Sequence, residues 1–396
     1  MRVGALVLIA VWLAQLAPAP AAELLSGEFG DVDLGRQLIE PAKLPTVQEL
    51  RAAVKDPKIQ PVLMIKLFGN DKNHHLPIWA GDGQRLAFQR SEIDAKSSKL
   101  LWYPSLADKE PTPLSDEAEA YDYMFRWAAN SPSSFAFVRI RPGSTNTQIY
   151  FCAEGGKPQR KTASDARYEY PAPYRRTDGI WRMTYQQDGR LMQESWNEEG
   201  PIDRPLTIVQ GTTPRWSRDG GKLLIARQRP GRRAGAFDIV VWTLKNDSEL
   251  MLPSDVEGVV RSPSWSPDEH SAAFYVRELG EGKPWRIRVC PAGRDAGGRT
   301  LGGNVVVNLN FDSEGPAWEP SGRRVWFFSE EHRKQAYYPL VAGDVQNGAL
   351  TVIDYPNRCT TPNDLAINPA TAAPEIAFVA HDGLPQDLFI LFLNHY

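Results

Sequence analysis

The 396-residue sequence is poor in the residues that build disulfide frameworks, metal clusters and redox sites. It has three cysteines, Cys152, Cys290 and Cys359, and no C-x-x-C. An odd and sparse set excludes a stapled scaffold, a zinc knuckle and a dithiol motif. Cys152 and Cys290 lie in the apolar runs IYFCA and RIRVC, where a cysteine acts as a small buried hydrophobe. Charge of one sign is also lacking, since 45 Lys and Arg stand against 48 Asp and Glu. Nucleic acid is therefore not an expected partner, because such domains carry a basic footprint. Beyond the first residues no apolar run reaches the roughly 18 residues that a spanning helix needs. The sequence contains no G-x-G-x-x-G, P-loop, H-E-x-x-H or G-x-S-x-G motif, and no Asp-rich calcium loop. An α/β-hydrolase domain is excluded on the same ground.

What the chain has in quantity is 31 Gly, 32 Pro and 12 Trp. Gly and Pro punctuate turns, and Trp is costly to expose, so many short strands joined by many turns are expected. The N-terminus has the form of a secretory signal. Arg2 is the positive n-region, Val3 to Leu16 is apolar apart from Gln15, and Ala19-Pro20-Ala21 offers an A-x-A cleavage pattern. The expected organisation is a signal peptide over 1–21, a lead-in over 22–58 with one short helix at 46–56, and a repeat domain over 59–396. A retained N-terminal anchor is the alternative. Either way the chain is expected to be exported, to the periplasm or beyond.

Internal repetition dominates the remainder. Residues 77–90 read PIWAGDGQRLAFQR, 214–228 PRWSRDGGKLLIARQ, 263–277 PSWSPDEHSAAFYVR and 316–330 PAWEPSGRRVWFFSE. Looser copies are FRWAANSPSSFAFVRI at 125–140 and LAINPATAAPEIAFVAH at 365–381, with Ile367 in the Trp place. A degraded copy at 173–186 has Tyr174 there. The anchors Trp79, Trp127, Tyr174, Trp216, Trp265, Trp318 and Ile367 are 48, 47, 42, 49, 53 and 49 residues apart. That period is too long for leucine-rich, ankyrin or tetratricopeptide repeats and fits a four-stranded propeller blade.

Each unit reads as a strand ending at the anchor, a tight turn that is often Asp-Gly, and a second, almost wholly apolar strand. A third apolar strand and a weaker, more polar fourth follow. The last unit stops after its third strand, DLFILFL. The apolar run IQPVLMIKLFG at 59–69 has no unit of its own, so it is expected to supply the missing fourth strand and close the ring. The fold expected is thus all-β, a seven-bladed β-propeller of four-stranded antiparallel blades. Six blades, with 173–186 as an insertion, is the alternative.

The units resemble the WD40-like (PD40) repeats of the TolB-type β-propeller family, whose pattern is about P-x-W-S-P-D-G-x-x-[IL]-[AV]-F. The copies at 214–226 and 263–274 match it best. The resemblance covers about 320 residues and implies the fold. Because propellers serve as platforms, subunits and sometimes enzymes, it implies function only loosely. The N-terminal domain that accompanies the propeller in TolB itself is not evident.

Candidate chemistry rests on the histidines. His74 and His75 precede the first Trp strand, and His332 and His381 follow the second strands of the sixth and seventh units. All four are expected in loops on one face, from adjacent blades. His75, His332 and His381 could there hold a divalent metal. Oligogalacturonate lyases resemble this arrangement, being propellers with a His-rich metal site on one face, but no local motif carries the match. Otherwise the histidines are solvated loop residues and no cofactor is implied. The acidic stretch 108–122 reads as a solvated loop, and PGRR at 230–233 is a weak anionic contact. Trp79, Trp127, Trp216, Trp265 and Trp318 are read as structural anchors of the blades. The expectation for function is a non-catalytic scaffold, similar to TolB, that binds a protein partner through one face. A metal-dependent, carbohydrate-active propeller or a structural subunit are the alternatives.

Overall fold

The computed structural model describes residues 37–39, 62–66, 72–92, 98–103, 111–114, 120–162, 165–203, 206–228, 236–254, 258–280, 282–293, 297–302, 304–306, 315–331, 338–353, 360–372, 374–381 and 386–393. The anticipated helix at 46–56 lies outside them. Among the described residues every regular element of substantial length is a strand, and no helix is long and apolar enough to cross a membrane.

The strands fall into consecutive antiparallel units in chain order. In the fourth unit, Thr212–Trp216, Lys222–Gln228, Phe237–Thr243 and Ser248–Leu252 lie side by side as a meander. The fifth and sixth units repeat that order, and the third adds a short extra pairing at Gly200–Pro201. The first two units are joined into one eight-stranded sheet by a single parallel bridge, Ser98 to Tyr121. In the last sheet, Thr360–Ile367, Glu375–His381 and Gln386–Leu393 are followed by Val62–Lys66, which pairs antiparallel with Phe389 to Leu393. Gln37–Ile39 adds a parallel strand beyond it. That strand is not legible in the residue pattern, because three residues are too few to show a period.

Side-chain alternation explains why the second and third strands are apolar throughout. Along Gln386–Leu393, Leu388, Ile390 and Phe392 pack against Trp79, Leu86 and Phe88 of the first unit. Phe389, Leu391 and Leu393 point the other way, toward Trp326 and Phe328 of the sixth. Both faces of the sheet are covered, so neither set can be polar. The same holds throughout: each hydrophobic cluster joins two neighbouring units, and one of them joins the last to the first. Polar contacts reinforce that last junction. The Leu76 amide donates to Asp364 Oδ2 at 3.1 Å, and Asn368 Nδ2 donates to the Gly83 carbonyl at 3.1 Å. Gly83 has φ 64°, and a Cβ there would lie 2.1 Å from Asn368 Oδ1, so the turn needs glycine.

The first strand of every unit but the sixth carries a β-bulge that the repeat pattern conceals. The register slips by one residue between His75 and Ile78, Tyr123 and Arg126, Glu169 and Ala172, Thr212 and Arg215, Arg261 and Ser264, and Asn363 and Ala366. The residue after each slip begins has positive φ: Leu76, Met124, Tyr170, Thr213, Ser262 and Asp364. In the sixth unit the corresponding residue is Gly315, at φ 95°. Non-glycine residues rarely adopt this conformation, so surrounding structure holds it in place. The bulge also corrects one anchor. In the third unit the position equivalent to the Trp is Pro173, and Tyr174 lies one residue further along a longer hairpin. Tyr174 is nonetheless buried against the Trp216 ring, and its hydroxyl donates to the Asp219 carbonyl.

Candidate functional site

A bulge increases strand twist and re-aims the side chains that follow it. Here the residues that follow are the anchor and its predecessor, and in every unit they face one cavity of about 340 Å³. The predecessors are Ile78, Arg126 and Ala172 in the first three units. Arg215, Ser264, Ala317 and Ala366 take the same place in the other four. Turn residues beyond the anchors, among them Arg218, Pro267, Glu269 and Pro320, complete the lining. The cavity therefore lies toward the first-to-second strand turns, the face opposite to the one expected to carry the histidines.

The anchors form its wall and tie neighbouring units together. Trp127 Nε1 donates to the Ile78 carbonyl at 3.2 Å, Trp216 Nε1 to Ala172 at 3.1 Å and Trp265 Nε1 to Arg215 at 3.1 Å. Each bond runs from one unit to the predecessor position of the unit before. Trp79, Trp216 and Trp318 are buried, and Trp127 and Trp265 half-buried.

Two of the three arginines that line this cavity are buried. Arg126 and Arg215 are buried, 4% and 8% exposed, and each folds Nη1 back onto the carbonyl of its preceding residue, Phe125 or Pro214. Arg218 is exposed, and its amide donates to Glu269 Oε1. Neither buried arginine was singled out from the sequence, although a signal was present: Arg-Trp occurs at 126–127 and again at 215–216, at the same point of the repeat.

Of the three expected metal ligands, His75 and His381 lie in described strands. His74 and His75 lie inside the strand Lys72–Trp79, not in a loop before it. Beyond its bulge that strand continues to pair with Leu86–Glu92 back to Lys72. His74 is fully buried, with its ring 5.7 Å from Phe88, and His75 Nε2 is 3.4 Å from Ser91 Oγ. His381 ends the strand Glu375–His381, and His332 lies outside the described residues. Among the described residues no group of three His, Cys, Asp or Glu side chains is placed to hold a metal. Cys152 and Cys290 are buried, and burial pushes the Cys152 thiol up to about 11. PGRR at 230–233 and Cys359 also fall outside the described residues.

One further titratable group lies between the second and third units. Burial pushes the Glu194 carboxyl up to about 7, against the opposing pull of Lys161. Lys161 is itself lowered by burial, and its Nζ stands 4.8 Å from the Trp196 ring centroid. A carboxyl whose folded pKa is raised stabilises the fold below its unfolded pKa, and that stability is lost as pH rises through the folded value. Stability is therefore expected to fall between about pH 4.5 and pH 7. Glu194→Gln should remove about 1 kcal/mol of that fall, after allowance for the screening of a half-buried group. Urea midpoints at pH 5 and pH 8 check this, and equal pH dependence in both proteins would refute it.

No family model matches the chain, and no curated protein matches it significantly in sequence. Solved structures do match in shape. Oligogalacturonate lyase from Vibrio parahaemolyticus aligns with a TM-score of 0.55 at 10% identity, over 83% of this chain and 92% of the lyase. A puromycin-hydrolyzing peptidase from Mycobacterium tuberculosis aligns with a TM-score of 0.56 at 13% identity, over 80% of this chain and 50% of the peptidase. The β-propeller domain of Cps50 (Swd1) from Myceliophteria thermophila aligns with a TM-score of 0.51 at 10% identity, over 83% and 99%. At such identities the likeness speaks for architecture alone, and with the meandering units and their shared cavity it makes this chain a β-propeller.

Proposed function

We propose that the protein is an exported, seven-bladed β-propeller that acts as a non-catalytic scaffold and holds a protein partner on one face. In this reading residues 1–21 are a signal peptide, 22–58 a lead-in, and 62–66 the strand that closes the last blade. The observation that carries it is the seam. The last unit packs on the first through a shared apolar cluster and two side-chain-to-backbone hydrogen bonds, while Val62–Lys66 covers the edge of Gln386–Leu393. A scaffold whose last unit is packed on its first presents its loops at fixed positions, which is what a recognition surface needs.

The partner-binding face in this reading is the one ringed by the first-to-second strand turns. The test is capture with the full-length exported chain after cross-linking in its native envelope, followed by reconstitution with the purified partner. One stoichiometric partner is expected, lost on Arg218→Glu at a turn and retained on Met251→Glu on an outer strand. Capture of nothing specific, or a partner indifferent to Arg218→Glu, would count against the reading. A second reading, a metal-dependent carbohydrate-active propeller, draws on the shape shared with an oligogalacturonate lyase solved with manganese, at a TM-score of 0.54 and 11% identity. Bound metal in the purified protein, with a rise in unsaturated-product absorbance from uronate oligomers, would favour it.

A further inference from the structure

We infer that the axial cavity is a binding site for a small anion carrying carboxylate or phosphate groups, held by Arg126 and Arg215. The two residues occupy the same repeat position in the second and fourth units, so the fold directs both side chains into one space. Both are more than nine-tenths buried. A guanidinium is a planar, permanently charged fork whose donors match the oxygens of a carboxylate or phosphate. Two of them in one cavity with low-dielectric walls focus positive potential where an anion would sit.

The walls support the same reading. Anchor tryptophans and Pro173, Pro267 and Pro369 give a mostly apolar lining with few polar groups, the usual composition of a small-molecule site. The volume suits one small molecule better than a folded partner. Among the described lining residues the charged side chains are Arg126, Arg215, Arg218 and Glu269, and Glu269 accepts from the Arg218 amide. The inference is independent of the scaffold reading, since an anion could occupy the axis whether or not a protein docks on a face.

The test uses the purified full chain, with citrate and inorganic phosphate each titrated at an ionic strength held constant by NaCl. A saturable rise in melting temperature and a 1:1 calorimetric isotherm are expected for at least one of them, and the tighter of the two identifies the preferred oxyanion. Arg126→Gln/Arg215→Gln should weaken that binding by about tenfold or more, since charge-assisted bonds are the strong ones. Arg299→Gln, on an outer strand, should leave it unchanged. If the double variant does not fold, bromide-soaked crystals of the wild type replace it, and an anomalous peak between Arg126 and Arg215 is expected. Melting that moves no more than with NaCl alone, undiminished binding by the double variant, or bromide found only elsewhere would each overturn the inference.

Discussion

A chain from which residues 1–66 have been removed is expected to lose its cooperative fold or to melt more than about 10 °C lower than the intact protein. The strand Gln386–Leu393 is the reason. It is sandwiched between Glu375–His381 and Val62–Lys66, and its described side chains from Leu388 to Leu393 are almost wholly buried. Removing Val62–Lys66 leaves five consecutive residues of that strand unpaired on one edge, while the other edge stays paired with Glu375–His381. Each lost backbone bond costs about 1 kcal/mol when its groups regain water, and more when they stay buried. The exposed edge of an apolar strand is also a template for aggregation. Melting followed by circular dichroism, with size-exclusion chromatography, checks both effects. Addition of a peptide spanning 59–69 should restore part of the lost stability. A truncated chain that stays monomeric and melts within about 2 °C of the intact one would show that the seam does not depend on this strand.

The second large effect is expected at a buried ion pair. Arg139 Nε and Nη2 donate to Asp122 Oδ1 and Oδ2 at 2.6 and 2.8 Å, with the two side chains 4% and 1% exposed. The guanidinium carbon stands 4.6 Å from the Tyr150 ring centroid and 5.2 Å from that of Phe137. Asp122→Ala strands a charge in this apolar setting and should cost about 3–5 kcal/mol. Asp122→Leu/Arg139→Met removes both charges and should recover most of that loss, because burying a pair yields little over an apolar replacement of similar volume. Urea midpoints of the wild type, both single variants and the double variant give the coupling directly. A cost below about 1 kcal/mol for Asp122→Ala would mean that water reaches the site.

That pair shows where local reading of the sequence goes astray. Asp122 closes an acidic stretch, 108–122, that reads as a solvated loop. The strand Tyr121–Ala128 begins inside it and carries Asp122 opposite Arg139 in register. Seventeen residues separate the two, and only strand pairing places them together. The histidines fail similarly. Placing His74 and His75 in a loop assumed that the first strand began near its Trp. Beyond the bulge the strand keeps pairing with Leu86–Glu92 back to Lys72, and His74 is buried there. No composition signal marks the bulge, because its six positive-φ positions are all held by residues other than glycine.

What the amino-acid order determined by itself is local and periodic. The Trp anchors, the Asp-Gly turns and the all-apolar second strands recur at a period near 48, and physical chemistry converts that pattern into blades. A strand covered on both faces must be apolar at every position, so the run LAF or LLIA already implies a stack of sheets. What only the tertiary structure decided concerns residues far apart in the chain. Arg126 and Arg215 are 89 positions apart and share a cavity because the units curve around an axis that no single unit contains. The Asp364 carboxylate meets the Leu76 amide across 288 residues for the same reason. Periodicity specifies what each unit is, whereas the packing angle between units, set by side chains from both, specifies which distant residues meet.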